Sequence, residues 1–196
     1  RKDFPPKDMK ELIAYVKANK DKVTYANAGV GAASHLCGML LMTAIQTDLT
    51  TVPYKGTGPA MTDLIGGQVD FMCDQTTNTI PQIKGGKVKA YAVTTAKRIK
   101  ALPELPTVAE SGVPGFQVGI WHGMWAPKGT PQAAIDKLSA ALQTALKDPL
   151  VVSKFADLGT EPVPQDQATP AALAKHVKAE VEKWAPIIKK AGIYAD

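Results

Sequence analysis

The sequence has no long hydrophobic run and only two cysteines, and each scarcity excludes a class of protein. The longest apolar stretch, residues 36–45, is interrupted by Gly38 and Thr43, and it is shorter than the roughly 20 residues that a membrane-spanning helix needs. Cys37 and Cys73 lack the C-x-x-C spacing of zinc and redox motifs. Because both lie in apolar contexts, we expect buried free thiols; a disulfide between them stays open, although the spacing does not support one.

The sequence also lacks a strong excess of positive or negative charge. The 196 residues include 23 Lys and Arg against 18 Asp and Glu, which gives a formal net charge of +5. Only Lys97, Arg98 and Lys100 form a dense basic group, and no aromatic residues alternate with them as stacking on single-stranded nucleic acid requires. A solvated basic surface is therefore favoured over a nucleic-acid interface. The 45% content of hydrophobic residues predicts an ordinary folded core.

Short apolar strands alternate with helical segments in the first half of the chain. The pattern predicts strands at 23–27, 50–54, 69–73 and 88–94, with helices between them and Ser34 capping the second helix. Such alternation favours an α/β fold with parallel strands and right-handed crossovers. Ligands bind at the carboxyl ends of such strands. We therefore expect the loops after Asn27, after Tyr54 and at Asp74 to converge at one edge of the sheet.

The second half of the chain is predicted to be mainly helical. One helix is expected to begin with Thr130 as its cap and Pro131 at its first position, and the last helix with Thr169 and Pro170. Residues 116–125 are rich in aromatic and β-branched side chains but are interrupted by Gly119 and Gly123. Residues 161–163 predict one short strand.

The loop that follows the first strand resembles a phosphate-binding loop without the spacing of one. A dinucleotide fingerprint requires a third glycine where Ser34 stands, and a P-loop requires a lysine. The helix that begins here should leave N–H groups unpaired, and its partial positive charge suits a small anion such as a carboxylate. A plain turn that caps its helix with Ser34 is the alternative. The expected donors are the N–H groups of Ala32, Ala33, Ser34 and His35, beside Gly29 and Gly31.

No pattern of catalytic residues is evident. Ser34 and His35 are adjacent, so on a helix they point about 100° apart, and the sequence has no G-x-S-x-G elbow. The histidines show no metal-ligand spacing. Asp74, at the end of an apolar strand, can accept hydrogen bonds from a ligand hydroxyl or amine, or it caps the next helix. We predict no enzyme, no metal and no cofactor.

Five segments, taken in order, resemble one family: YANAGVGAASHL, VPYKGTGPAMTDLIGGQVDFMCD, IPQIKGGKVKAYAVTTAKR, LPELPTVAESGVPGFQV and WHGMWAPKGTP. The pattern is similar to that of the Bug-type receptors, the extracytoplasmic solute-binding proteins of tripartite tricarboxylate transporters. The resemblance covers nearly the whole chain.

The resemblance implies a type II periplasmic-binding-protein fold, with two α/β lobes around a cleft. Residues 1–117 would form the complete second lobe with its parallel sheet. Residues 118–196 would supply a crossing strand and the C-terminal helices of the first lobe. The implied ligand-binding residues are Asn27, Gly29, Gly31, Ala32, Ala33, Ser34, His35, Tyr54, Gly56, Thr57 and Asp74.

The implied function is capture of a small carboxylate, such as a di- or tricarboxylate or an aromatic acid, in the periplasm. The receptor would then deliver it to the membrane subunits of a transporter; presentation of the ligand to a sensor protein is the alternative. The signal peptide and the long N-terminal stretch of the family are not among these residues. We therefore expect apolar surface at Leu138, Leu142, Val177 and Trp184, and an oligomer, an exchanged element or a proteolysed form.

Overall fold

The computed structural model describes residues 1–192, and these form two compact units. The first unit is Arg1–Ile120, and the second begins at Trp121. The last four residues of the predicted segment 118–196 lie outside the described residues.

A small parallel sheet organises the first unit. It consists of β1 (Thr24–Asn27), β2 (Thr50–Pro53) and β3 (Phe71–Met72) in the order β2-β1-β3. Both pairings are parallel, which confirms the predicted α/β arrangement. The helices of this unit are α1 (Met9–Ala18), α2 (Ala33–Ile45), α3 (Thr57–Ile65) and α4 (Thr76–Lys84).

A local signal explains where α1 begins. Asp8 caps α1, because its carboxylate accepts a hydrogen bond of 2.8 Å from the N–H of Glu11. Small and apolar side chains then pack the helices onto the sheet; Ala26 of β1 and Ala60 of α3 are fully buried. This packing fixes the positions of the loops that follow the strands.

The prediction of a fourth strand at 88–94 is wrong. Among the described residues this segment makes only an isolated bridge between Val93 and Thr107. The N–H of Val93 donates to the carbonyl of Pro106, and the N–H of Val108 donates to the carbonyl of Val93, both at 2.9 Å. The Lys89 ammonium donates to two carbonyls of the N-terminal segment. The apolar residues of the segment reflect burial, but its backbone partner is a turn and not the edge of the sheet.

Three helices make up most of the second unit: α5 (Gln132–Ala145), α6 (Pro149–Asp157) and α7 (Pro170–Lys190). The Thr169 hydroxyl caps α7 by accepting a hydrogen bond of 3.2 Å from the N–H of Ala172, and Pro170 follows. This start is confirmed. The predicted cap of α5 is wrong by one residue: Pro131 is the cap, and the Thr130 hydroxyl instead donates to the carbonyl of Pro127 at 2.8 Å.

Neither of the two later strands is formed within the described residues. Residues 119–129 run exposed and without regular structure, and Val118 makes its backbone hydrogen bond to Thr94 instead of to a sheet. Val163 lies between Pro162 and Pro164, which have no N–H to donate to a sheet. Sequence reasoning also missed α6, although Asp148 followed by Pro149 is a typical helix start.

Apolar exposure in the second unit agrees only in part with expectation. Leu138 is 48% exposed, as expected, whereas Leu142, Val177 and Trp184 are half-buried. The Trp184 indole N–H donates to Glu180 at 2.9 Å, which turns its polar edge toward α7 itself. None of the described helices, α7 included, combines the length and the apolar character needed to cross a membrane.

Candidate ligand-binding site

Three helices begin at the same edge of the parallel sheet. Because the strands are parallel, their carboxyl ends lie together, and α2, α3 and α4 follow β1, β2 and β3 directly. Asn27 is the last residue of β1, and the other predicted ligand-binding residues lie in these three connections or in the first turn of the helices. The convergence expected for the loops after Asn27, after Tyr54 and at Asp74 is therefore seen in the fold.

The loop between β1 and α2 depends on glycine. Gly29 and Gly31 have φ values of +123° and +78°, a region that side chains other than glycine rarely adopt. A Cβ atom on Gly29 would lie 3.1 Å from the carbonyl oxygen of Tyr54. The loop can therefore lie close to its neighbour only because this residue has no side chain.

The unpaired N–H groups at the start of α2 are those of its first three residues. Ala33, Ser34 and His35 have no acceptor within the helix. Ala32, which was predicted to be a fourth donor, is the cap of the helix, and its N–H already donates to the carbonyl of Gly29 at 3.1 Å. Three donors, together with the partial positive charge of a helix start, remain for an anion.

Ser34 does not cap the helix, so that prediction is wrong. It lies inside the first turn and is buried, and its hydroxyl oxygen accepts a hydrogen bond of 2.9 Å from the N–H of Ala28. His35 Nδ1 accepts a hydrogen bond of 3.3 Å from the N–H of Gly31. Both side chains therefore hold the shape of the loop.

Asn27 has a buried amide with one unused group. The residue is 0% exposed, and its Oδ1 accepts a hydrogen bond of 3.0 Å from the N–H of Gly29. Its Nδ2 has no partner among the described residues. Leaving a buried donor unpaired is costly. A ligand or a water molecule that bonded to this amide would remove that cost.

The loop after β2 is attached to the α2 loop by its backbone. The N–H of Tyr54 donates to the carbonyl of Asn27 at 2.9 Å, and the N–H of Gly56 donates to the carbonyl of Ala28 at 3.0 Å. The Tyr54 hydroxyl donates to Asp63 at 2.8 Å; burial, together with this bond, raises the pKa of Tyr54. Tyr54 and Gly56, two of the predicted ligand-binding residues, therefore use these donor groups within the protein.

Asp74 connects the starts of α3 and α4. Its carboxylate accepts hydrogen bonds from the Thr57 hydroxyl at 3.3 Å and from the Asn78 amide at 3.4 Å. Burial raises the pKa of Asp74, against the opposing effect of its hydrogen bonds. The polar run from Gln75 to Asn78 was the sequence signal for Asn78, which the predicted set omits. The buried Oε1 of Gln75 has no partner among the described residues.

Sequence reasoning missed a buried layer beneath the site. The Tyr25 hydroxyl donates to the carbonyl of Ser34 at 2.6 Å and accepts from the N–H of Cys73 at 3.1 Å. Cys37 and Cys73 form a disulfide, so the prediction of free thiols is wrong. The two cysteines are 36 residues apart in sequence, and they meet because α2 follows β1 and β1 pairs with β3. No grouping of side chains suited to a metal ion occurs within residues 1–192.

The sequence of the chain is similar to that of a known family. The sequence matches the family described as "Tripartite tricarboxylate transporter family receptor" over residues 1–193. The chain belongs to this family. It is 58% identical over 192 residues to the UPF0065 protein in the TAR-I ttuE-ttuC' intergenic region of Agrobacterium vitis, which covers 98% of this chain and 56% of that protein.

Solved structures of similar proteins share the fold of this receptor-family chain. The periplasmic binding protein BugD superposes with a TM-score of 0.94 at 58% identity, covering 100% of this chain and 65% of BugD. MatC from Rhodopseudomonas palustris with bound malate has a TM-score of 0.90 at 42% identity, covering 96% of this chain and 64% of MatC. The periplasmic-binding-protein fold is thus confirmed. The chain spans 56% to 65% of the lengths of these proteins.

Proposed function

We propose that this chain is part of a periplasmic receptor that captures a small carboxylate and delivers it to a tripartite tricarboxylate transporter. The observation that carries the proposal is the unpaired N–H groups of Ala33, Ser34 and His35 at the converging carboxyl ends of parallel strands. Membership of a receptor family supports it. The bound malate of MatC supports the choice of a carboxylate as the ligand class.

The residues of the proposed site differ in whether they donate or accept hydrogen bonds. The three N–H groups and the Asn27 amide are donors, which a carboxylate accepts. Gly29 and Gly31 allow the ligand to lie close to the backbone. Asp74 is an acceptor, so it suits a hydroxyl or an ammonium group beside the ligand's carboxylate, and Thr57 orients it.

The disulfide supports a periplasmic location. Disulfides form and persist in oxidising compartments, of which the bacterial periplasm is one, and are rare in the cytosol. Cys37 and Cys73 are joined in the layer beneath the site. Binding without chemical conversion is consistent with a family of receptors. Neither the sensor protein nor the oligomer raised by the sequence has support from the comparisons, and we propose neither.

Calorimetric titration of the full-length protein with mono-, di- and tricarboxylates tests the proposal. We expect a saturable complex with at least one of these acids, and the acid recovered unchanged. Turnover of any acid in the panel would contradict a receptor, and no binding to any of them would contradict carboxylate capture.

One substitution removes a single donor without disturbing the helix. Ala33 is the first helical residue, where proline is well tolerated, and Ala32 has the extended conformation, φ −64° and ψ 156°, that a following proline requires. Ala33→Pro should weaken the bound acid by about tenfold or more, as expected for a hydrogen bond to a charged group. Gln132→Pro, at the first position of α5, is the matched control and should leave the affinity unchanged.

The role of Asp74 has its own test. Asp74→Ala should weaken L-malate and L-aspartate, which carry a hydroxyl or ammonium group, more than it weakens succinate, which carries neither. An equal loss for all three acids would show that Asp74 only orders the loops.

A further inference from the structure

Tyr25 lies beneath the proposed site and bridges two of its parts. The residue is 1% exposed. Its hydroxyl donates to the carbonyl of Ser34, in the first turn of α2, and accepts from the N–H of Cys73, the residue directly before Asp74. One oxygen atom thus connects the helix start that offers N–H donors to the strand end that offers the carboxylate.

The position of this hydroxyl is fixed by close packing of the ring. A Cβ atom on Gly38 would lie 2.1 Å from Cε1 of Tyr25, so α2 can approach the ring only because residue 38 is glycine. The Phe71 ring packs edge-on against Tyr25 with centroids 5.1 Å apart. A ring held between a helix and a neighbouring strand cannot move its hydroxyl without disturbing both.

The disulfide connects α2 to Cys73 a second time, through the side chain of Cys73. Cys37 of α2 is bonded to Cys73, whose backbone N–H is the group that Tyr25 holds. Cys73 is therefore attached to α2 twice, covalently through its sulfur and by the tyrosine hydroxyl through its backbone. Burial raises the pKa of Tyr25, so the hydroxyl keeps its proton and remains a donor to Ser34.

We propose that Tyr25 and the Cys37–Cys73 disulfide are positioning groups that hold Asp74 at a set distance from the N–H groups of α2, and so select acids with a hydroxyl or ammonium group beside the carboxylate. The inference rests on the proposed function, because it assigns the ligand's carboxylate to α2. An acid with such a substituent engages both parts at once. An unsubstituted dicarboxylate engages only the helix start and does not depend on the distance.

The test compares ligand preference in variants of the full-length protein. Tyr25→Phe keeps the ring and removes the bridging hydroxyl, and a Cys37→Ala/Cys73→Ala variant removes the covalent connection. Tyr91→Phe is the matched control, since the Tyr91 hydroxyl also donates to a carbonyl, that of Pro6, at 3.3 Å. Dissociation constants are measured for succinate, L-malate and L-aspartate on each protein. Misfolded material lowers the stoichiometry and leaves the ratio of the constants unchanged.

We expect wild type to prefer the better-bound substituted acid over succinate. Tyr25→Phe should reduce that preference about fivefold, the value of a typical hydrogen bond, and leave the constant for succinate within about twofold. The cysteine variant should act in the same direction, and Tyr91→Phe should change nothing. Equal weakening of all three acids by Tyr25→Phe, or no change at all, would overturn the inference.

Failure of the proposed function has a different signature. It would appear in wild type as the absence of binding to every acid, before any variant is compared. A wild type that binds succinate as tightly as the substituted acids would overturn the selection by Asp74 and this inference with it, while carboxylate capture would stand.

Discussion

At the scale of single residues, the site depends on groups that lie beneath it as much as on those that face the ligand. Gly38 shows this most clearly, because it lies outside the proposed set of donors and yet decides where Tyr25 can lie. Asp74 shows it in another way, since it carries a charge in a place where burial disfavours one.

Gly38→Ala should therefore destabilise the protein. Alanine is the better helix former by up to about 1 kcal/mol, but its Cβ atom would overlap the Tyr25 ring, and overpacking costs about 1–3 kcal/mol. We expect a lower midpoint of urea denaturation. Gly119→Ala, at an exposed position outside the helices and the left-handed region, with open space around it, is the control and should leave the midpoint unchanged. A Gly38→Ala protein as stable as wild type would contradict the packing described.

Asp74→Asn should change the pH dependence of stability. Because burial raises the pKa of Asp74 above its ordinary value of 3.8, the folded protein binds the proton more tightly than the unfolded chain does. The stability from this group is therefore fully present below the unfolded pKa, and it is lost as the pH rises through the higher folded pKa.

Asparagine keeps an acceptor oxygen and removes the charge. The variant should melt at a higher temperature than wild type at neutral pH, and the two should converge at about pH 3. Asp48→Asn, at an exposed position, should match wild type at neutral pH. A variant that is less stable than wild type at neutral pH would show that the carboxylate is stabilising there.

The sequence was informative about which loops meet at the proposed site and less so about what their side chains do. Gly29 and Gly31 could be recognised because their backbone requirement is local. The partners of the Ser34 and Tyr54 hydroxyls could not, because Ala28 and Asp63 become neighbours only when the loops fold. The disulfide stayed an open alternative for the same reason: spacing along the chain does not show that α2 and the residue after β3 are adjacent.

At the scale of elements, a helix start could be predicted only where its local signal was complete. Thr169 followed by Pro170 is such a signal, and the structure uses it as expected, whereas the same pair at Thr130 and Pro131 misplaced the cap by one residue. A strand depends on a partner elsewhere in the chain. Residues 88–94 have the composition of a strand, but their backbone bonds to residues 106–108 and not to the sheet.

Thr169→Ala should destabilise α7 by about 1 kcal/mol, the usual cost of losing a helix cap. The hydroxyl accepts from the N–H of Ala172, and alanine would leave that donor without its acceptor. The change in free energy of unfolding is measured by denaturant titration. Thr144→Ala is the control: that hydroxyl donates to the carbonyl of Ala140 within α5, and its loss should be within about 0.5 kcal/mol of neutral. Equal losses of stability at the two positions would contradict the capping role of Thr169.

At the scale of the whole molecule, every residue proposed to bind the ligand lies in the first unit, Arg1–Ile120. The chain spans 56% to 65% of the lengths of the family members compared above. What this chain supplies is therefore one set of donors and one acceptor, held together by Tyr25 and the disulfide. The proposal that unites these groups is the binding of a carboxylate to the start of α2.

Backbone amide chemical shifts recorded during titration of the full-length protein with its best-bound acid test this claim most directly. We expect the largest changes at the N–H groups of Ala33, Ser34 and His35, with a matching change at the side-chain amide of Asn27. Tight binding that leaves these four groups unchanged would contradict it.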